Sequence, residues 1–157
     1  MAQPLTLSCA DRSPARPAST PRSDELLRGA KRPPSDQALA LLTRVNLLVV
    51  GAENEATALI ASLWPGLVTP IVVRHRGEPL RLSTVPPAGT FVIYDVETLT
   101  RVEQDTLHQW VNAGDRRAQV VSSASGALFP MVEAGAFNDG LYYRLNVVTI
   151  DLTSPVA

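Results

Sequence analysis

Short apolar runs alternate with amphipathic stretches along most of this 157-residue chain. Residues 46–50 (NLLVV) are almost wholly apolar, as a strand covered on both faces must be. Residues 70–74 (PIVVR), 90–94 (TFVIY), 119–122 and 146–152 read as further strands. Between them lie helical patterns. Ser35 is placed to cap a helix running to Arg44, with Ala38, Leu39, Leu41 and Leu42 as its apolar positions. Asn54 is the expected cap of a helix over 55–64, stopped by Pro65-Gly66. Thr100 and Glu103 form a capping-box pattern opening a helix with Val102, Leu107, Trp110 and Val111 apolar and Gly114 at its end. Residues 128–134, with Pro130 in the first turn, and 139–145 complete the helices. Residues 75–87 are turn-rich and read as a short hairpin. Five strands alternating with helices predict an α/β fold: a three-layer αβα sandwich with a mostly parallel five-stranded sheet.

Residues 1–35 break this pattern. They hold six of the chain's 13 prolines, with six Lys/Arg against three Asp/Glu. Such a stretch buries too little apolar surface to offset its ordering entropy, so it reads as a disordered, basic, Pro-rich tail dispensable for folding. Within it, residues 24–31 (DELLRGAK) have room for a turn or two of helix. The folded domain is expected over 36–157. Net charge is −1, so no overall field selects nucleic acid or a membrane surface. Cys9 is the sole cysteine, and with His75 and His108 it has no metal-ligand spacing, so no metal site is expected. Intrachain disulfides are excluded, which fits a cytoplasmic setting. No apolar run reaches membrane-spanning length and no signal-peptide core is present.

Residues 137–150 read FNDGLYYRLNVVTI. This string resembles the FREDLYYRLNV signature of the AAA+ domain (sigma-54 interaction domain) in sigma-54-dependent transcription activators. Phe137, Leu141, Tyr142, Tyr143, Arg144, Leu145, Asn146 and Val147 match it letter for letter. Leu141, Tyr142, Leu145 and Val148 are also expected to form one packed face. The likeness extends over residues 46–152: AGTFVIYDV (88–96) resembles the family's GGTLFLDEI strand, and 128–137 resembles its L…V..GRF segment. The resemblance implies a P-loop NTPase-type sandwich. The chain ends before the helical lid and the helix-turn-helix reader of such activators, and residues 75–89 hold nothing like their GAFTGA loop. The expectation is therefore a core with no lid domain and no direct DNA reader.

At the functional positions the resemblance fails. A Walker A loop needs glycines whose backbone N–H groups wrap phosphates, a Lys for the β/γ charge and a Ser/Thr for magnesium. Here the loop reads Gly51, Ala52, Glu53, Asn54, Glu55, Ala56, Thr57, with Thr57 in place of Lys and Ala56 in place of Gly. Glu53 and Glu55 add negative charge where phosphates would lie. A carboxylate ~6 Å from a phosphate charge costs about 3 kcal/mol at an effective dielectric of ~20. At Walker B, Tyr94 stands for the magnesium-binding Asp and Asp95 for the catalytic Glu. A one-residue slip would return Asp95 as metal ligand, and a strand-end carboxylate capping a turn is the alternative. Ser125 replaces the sensor Asn, and Asn138 replaces the first Arg of FREDLYYR. Arg144, matching the second, is arginine-finger-like: it would face a neighbouring subunit's phosphate or pair with Asp139 or Asp151.

The resemblance thus implies a degenerate module of bacterial transcription control, a pseudo-ATPase with no cofactor. Its implied partner is a related AAA+ activator or the sigma-54 machinery, in a homo- or hetero-oligomer, with no membrane contact. The alternative is a domain that binds ATP with magnesium and hydrolyses it weakly.

Overall fold

The computed structural model describes residues 35–114 and 117–154, and the tail up to residue 34 and the Leu42 side chain lie outside what it describes. Leu47–Val50 (β1), Ile71–Arg74 (β2), Thr90–Ile93 (β3), Gln119–Ala124 (β4) and Val148–Asp151 (β5) form one sheet in the order β2-β3-β4-β1-β5. Every pairing is parallel, for example Leu48 opposite Ser122 and Phe91 opposite Val120. Parallel neighbours need crossovers, and helices supply most of them. The helices are Asp36–Thr43 (α1), Glu53–Leu63 (α2), Arg101–Asn112 (α3), Phe129–Glu133 (α4) and Asp139–Leu145 (α5).

Alternate strand residues divide between two cores, as a pleated strand requires. Leu48, Val50, Phe91, Ile93 and Val120 pack with Leu107 and Trp110 of α3 and Leu141 and Leu145 of α5. Leu47, Val49, Val92 and Val121 pack on the other side with Ala40 of α1 and Ala56, Ile60 and Leu63 of α2. The expected three-layer sandwich is therefore present, with α3, α4 and α5 on one face and α1 and α2 on the other.

The caps explain where several helices start. Ser35 Oγ accepts from the Ala38 N–H, and Thr100 and Glu103 complete their capping box. Three side-chain amides, those of buried Gln104 and Gln119 and of half-buried Asn46, then join elements distant in sequence. Gln104 donates to the carbonyls of Leu99 and Ala136 and accepts from the Asn138 N–H. Gln119 donates to the carbonyls of Ala40 and Val45. Asn46 donates to the Arg144 carbonyl and accepts from the Val120 N–H. All three are hydrogen-bonded, which is the condition for placing polar groups inside.

Several sequence expectations are corrected. Helix α2 starts at Glu53 with Ala52 as its cap residue, so Asn54 is inside the helix and caps nothing. Residues 75–87 form a turn and the single 3-10 turn Leu82–Thr84 in place of a hairpin. Leu39 and Val102 are exposed, and Ala40 takes the buried position of α1, because the sheet lies beneath a different helical face. Val148 packs in the α1/α2 core while Leu141 and Leu145 pack in the other, so they share no face.

Candidate functional site

Ligand crevices of open parallel sheets lie outside the carboxyl ends of the strands. Here a cleft of about 340 Å³ lies there, lined by Glu53 and Thr57 of α2, His75 and Arg76 after β2, and Tyr94 and Asp95 after β3. The fold thus brings Glu53 and Thr57 beside Tyr94 and Asp95, which are far apart in the sequence.

The β1-to-α2 connection is short. Only Gly51 and Ala52 separate Val50 from the first helical residue, Glu53. Gly51 is buried, its N–H donates to the Ala124 carbonyl at 3.0 Å, and an added Cβ would stand 2.7 Å from Leu152 Cβ. The glycine therefore serves the close approach of the segment after β5. The Ala56 N–H is bonded to the Ala52 carbonyl at 2.9 Å, and Ala56 itself is core. Glu53, Asn54, Glu55 and Thr57 are exposed. Glu53 and Glu55 sit in the first turn of α2, where negative charge complements the positive end of the helix dipole.

Asp95 occupies a left-handed conformation, φ 50° and ψ 60°, which few side chains other than Asn and Asp adopt. Its N–H donates to Ser123 Oγ, and its carbonyl accepts from the N–H and Oγ1 of Thr98. The turn after β3 is thus closed by the Asp95 main chain, and the expected carboxylate cap is absent. The residue is 5% exposed. Burial pushes its carboxyl above the ordinary aspartate value, and Glu97 and Glu53 add to the rise against Arg76 and Arg74. The neighbouring Tyr94 phenol is also raised by burial, and its ring stacks on His75.

A raised carboxyl pKa means that the folded chain binds this proton more readily than the unfolded chain. Its stabilising effect is full below the ordinary aspartate value and is lost as pH rises through the raised one. Asp95→Asn is therefore expected to raise the melting temperature near pH 7, with the gain shrinking toward about pH 4. Thermal melts of both proteins across that range check the sign.

Glu97 was not among the sequence candidates. Its Oε1 accepts from both the N–H and Oγ of Ser125, at 2.8 and 2.6 Å, while Oε2 is buried with no hydrogen-bond partner. Ser125 is thus held by a carboxylate of the β3 turn. That pairing follows from the β3–β4 register and had no local signal.

The remaining candidates stand elsewhere. Asn138 caps α5 by accepting from the Leu141 N–H, and its amide donates to Asp105 at 2.7 Å. Arg144 is exposed on α5 and does not line the cleft. It forms no ion pair with Asp139 or Asp151, and the ion pair found among the described residues is Arg101–Asp105. Asp151 is turned to Thr153 and Ser154, whose hydrogen bonds hold its carboxyl below the usual range. Exposed Tyr143 and Val147 flank Arg144.

This all-parallel sheet order, with a cleft at the carboxyl ends of the strands, defines a P-loop NTPase-type α/β protein. Residues 40–154 match the sigma-54 interaction domain, and the chain belongs to that family. No curated protein matches the sequence significantly. Among solved structures, NtrX from Brucella abortus in complex with ATP is similar at a TM-score of 0.58 and 14% identity, over 87% of this chain and 36% of that one. The same protein in complex with ADP gives 0.55 and 17%, over 87% and 37%. A DNA polymerase III gamma subunit-related protein from Thermotoga maritima gives 0.51 and 8%, over 77% and 47%. At these identities the likeness is one of fold, and the chain spans little more than a third of NtrX.

Proposed function

We propose that this chain is a sigma-54 interaction module that has lost ATP hydrolysis and acts by protein contact in bacterial transcription control. The observation that carries the reading is the start of α2 at Glu53, directly after Gly51 and Ala52. In a phosphate-binding loop, free backbone N–H groups converge on the ligand. Here the segment from Glu53 is already helix, the Ala56 N–H is spent on Ala52, and the two first-turn carboxylates supply the charge a phosphate would bring. Thr57 offers a hydroxyl where a lysine is needed. These residues do not fit a magnesium-bound triphosphate.

The partner in this reading is a related AAA+ activator or the sigma-54 machinery, in a homo- or hetero-oligomer. The surface available for it is Arg144 with exposed Tyr143 and Val147 on and after α5. Among the described residues no helix is long and apolar enough to cross a membrane.

Calorimetric titration with Mg-ATP tests the reading, alongside a phosphate-release assay. The expected result is no binding tighter than ~1 mM, about −4 kcal/mol, and no hydrolysis above background. Micromolar binding that is lost in Asp95→Ala would overturn it in favour of an ATP-binding activator domain.

A further inference from the structure

The floor of the cleft is a carboxyl group that nothing holds. Asp95 is 95% buried, yet its side chain has no hydrogen-bond or ion-pair partner among the described residues. Its oxygens keep an opening onto the cleft, where a donor or a cation can reach them. Its main chain is tied on both sides, by Ser123 and Thr98, so its backbone stays at the cleft. Glu53 lines the same space from α2. On the β2 side, the His75 and Tyr94 rings, which also line the space, stack on each other with centroids 5.4 Å apart and planes 6° apart, leaving at most one face of each ring for a further planar group.

Two carboxylates beside a stacked aromatic pair suit a planar cation. A guanidinium donates a pair of parallel N–H bonds to a carboxylate and lies face to face on an aromatic ring. An ammonium meets the carboxylates but has no plane to stack. From this geometry we infer that the cleft binds a guanidinium group. Asp95 is its anchoring acceptor, Glu53 a second carboxylate, and the His75–Tyr94 pair its stacking face. Arg76 carries the same chemistry and lines the cleft, but it is exposed and pairs with neither carboxylate. It is the competitor within the chain that a ligand must keep out. The inference deepens the reading of a cleft closed to triphosphate, and rests on it.

The test is an NMR titration of the full chain, following the backbone signals of Asp95 and Thr57. The probes are N-acetyl-arginine N-methylamide, the matching lysine compound, agmatine and Mg-ATP. The capped arginine is expected to give saturable shifts, and the capped lysine to bind several-fold more weakly. Asp95→Asn should weaken the arginine probe at least about tenfold, the loss expected for a charge-assisted bond. Glu53→Gln should weaken it less, and Arg76→Ala should tighten it. Capped arginine binding above agmatine marks the side chain of a protein partner as the source, and the reverse marks a free small cation. The inference is overturned if the capped arginine gives no saturable shift in either the parent or Arg76→Ala, or if Asp95→Asn binds it equally well. Saturable Mg-ATP shifts at these residues overturn both this inference and the pseudo-ATPase reading, whereas silence from all probes overturns the guanidinium site alone.

Discussion

Trp110→Ala is expected to lower the melting temperature by roughly 10–20 °C. The ring is 8% exposed and meets Phe91 of β3 edge to face, centroids 6.0 Å apart. It belongs to the core that also holds Ile93, Leu107 and Val120, so its loss leaves a cavity beneath the middle of the sheet. Truncating a buried Trp costs about 3–5 kcal/mol, through lost transfer energy and the void together. One kcal/mol moves a domain of this size by roughly 3–4 °C. Circular-dichroism melts of the two proteins measure the difference. A shift under 5 °C would mean that α3 closes over the vacancy or that the ring contributes little to this core.

Gly89→Ala is the second large effect, and its cause is steric. A Cβ on Gly89 would stand 2.3 Å from the Pro70 carbonyl oxygen. That oxygen accepts from the Thr90 N–H at 3.0 Å, and the Gly89 carbonyl accepts from the Gln119 N–H at 3.1 Å. Neither strand can step aside without loosening the start of the β2–β3 or β3–β4 ladder. The substitution is expected to cost about 2–4 kcal/mol, from overpacking plus a weakened hydrogen bond. Gly126→Ala is the control, because a Cβ there meets nothing within 4 Å and its cost should stay within about 0.5 kcal/mol. Equal losses in the two variants, measured by urea denaturation, would defeat the steric explanation.

The strands and most helices were legible in the chain because their signals are local. An apolar run such as residues 47–50 between turn residues suits a strand covered on both faces, and Thr100 with Glu103 caps the helix that follows. The boundary of α2 was not legible. Asn54 is the better cap residue by type, but Gly51 is drawn against Leu152 and the helix begins at once, with Ala56 and Ile60 in the core. Packing on the sheet outweighed a cap's worth of about 1 kcal/mol. Leu39 and Val102 show the same limit, since apolar character does not say which face of a helix meets a neighbour.

The candidate site divides along the same line. What Thr57, Glu53 and Tyr94 can offer a ligand was readable position by position, because each has fixed chemistry wherever it lies. That Glu53 and Asp95 share one cleft with a stacked His75–Tyr94 pair required the parallel sheet to bring the ends of β2 and β3 beside α2. The same holds for Glu97 on Ser125, and for Asn138, whose substitution for arginine proved to be a helix cap tied to Asp105. Residue type and spacing determine what a side chain can do. Its partner across 30 or 90 positions is decided by strand order and register, which come from the burial of both faces of the sheet at once.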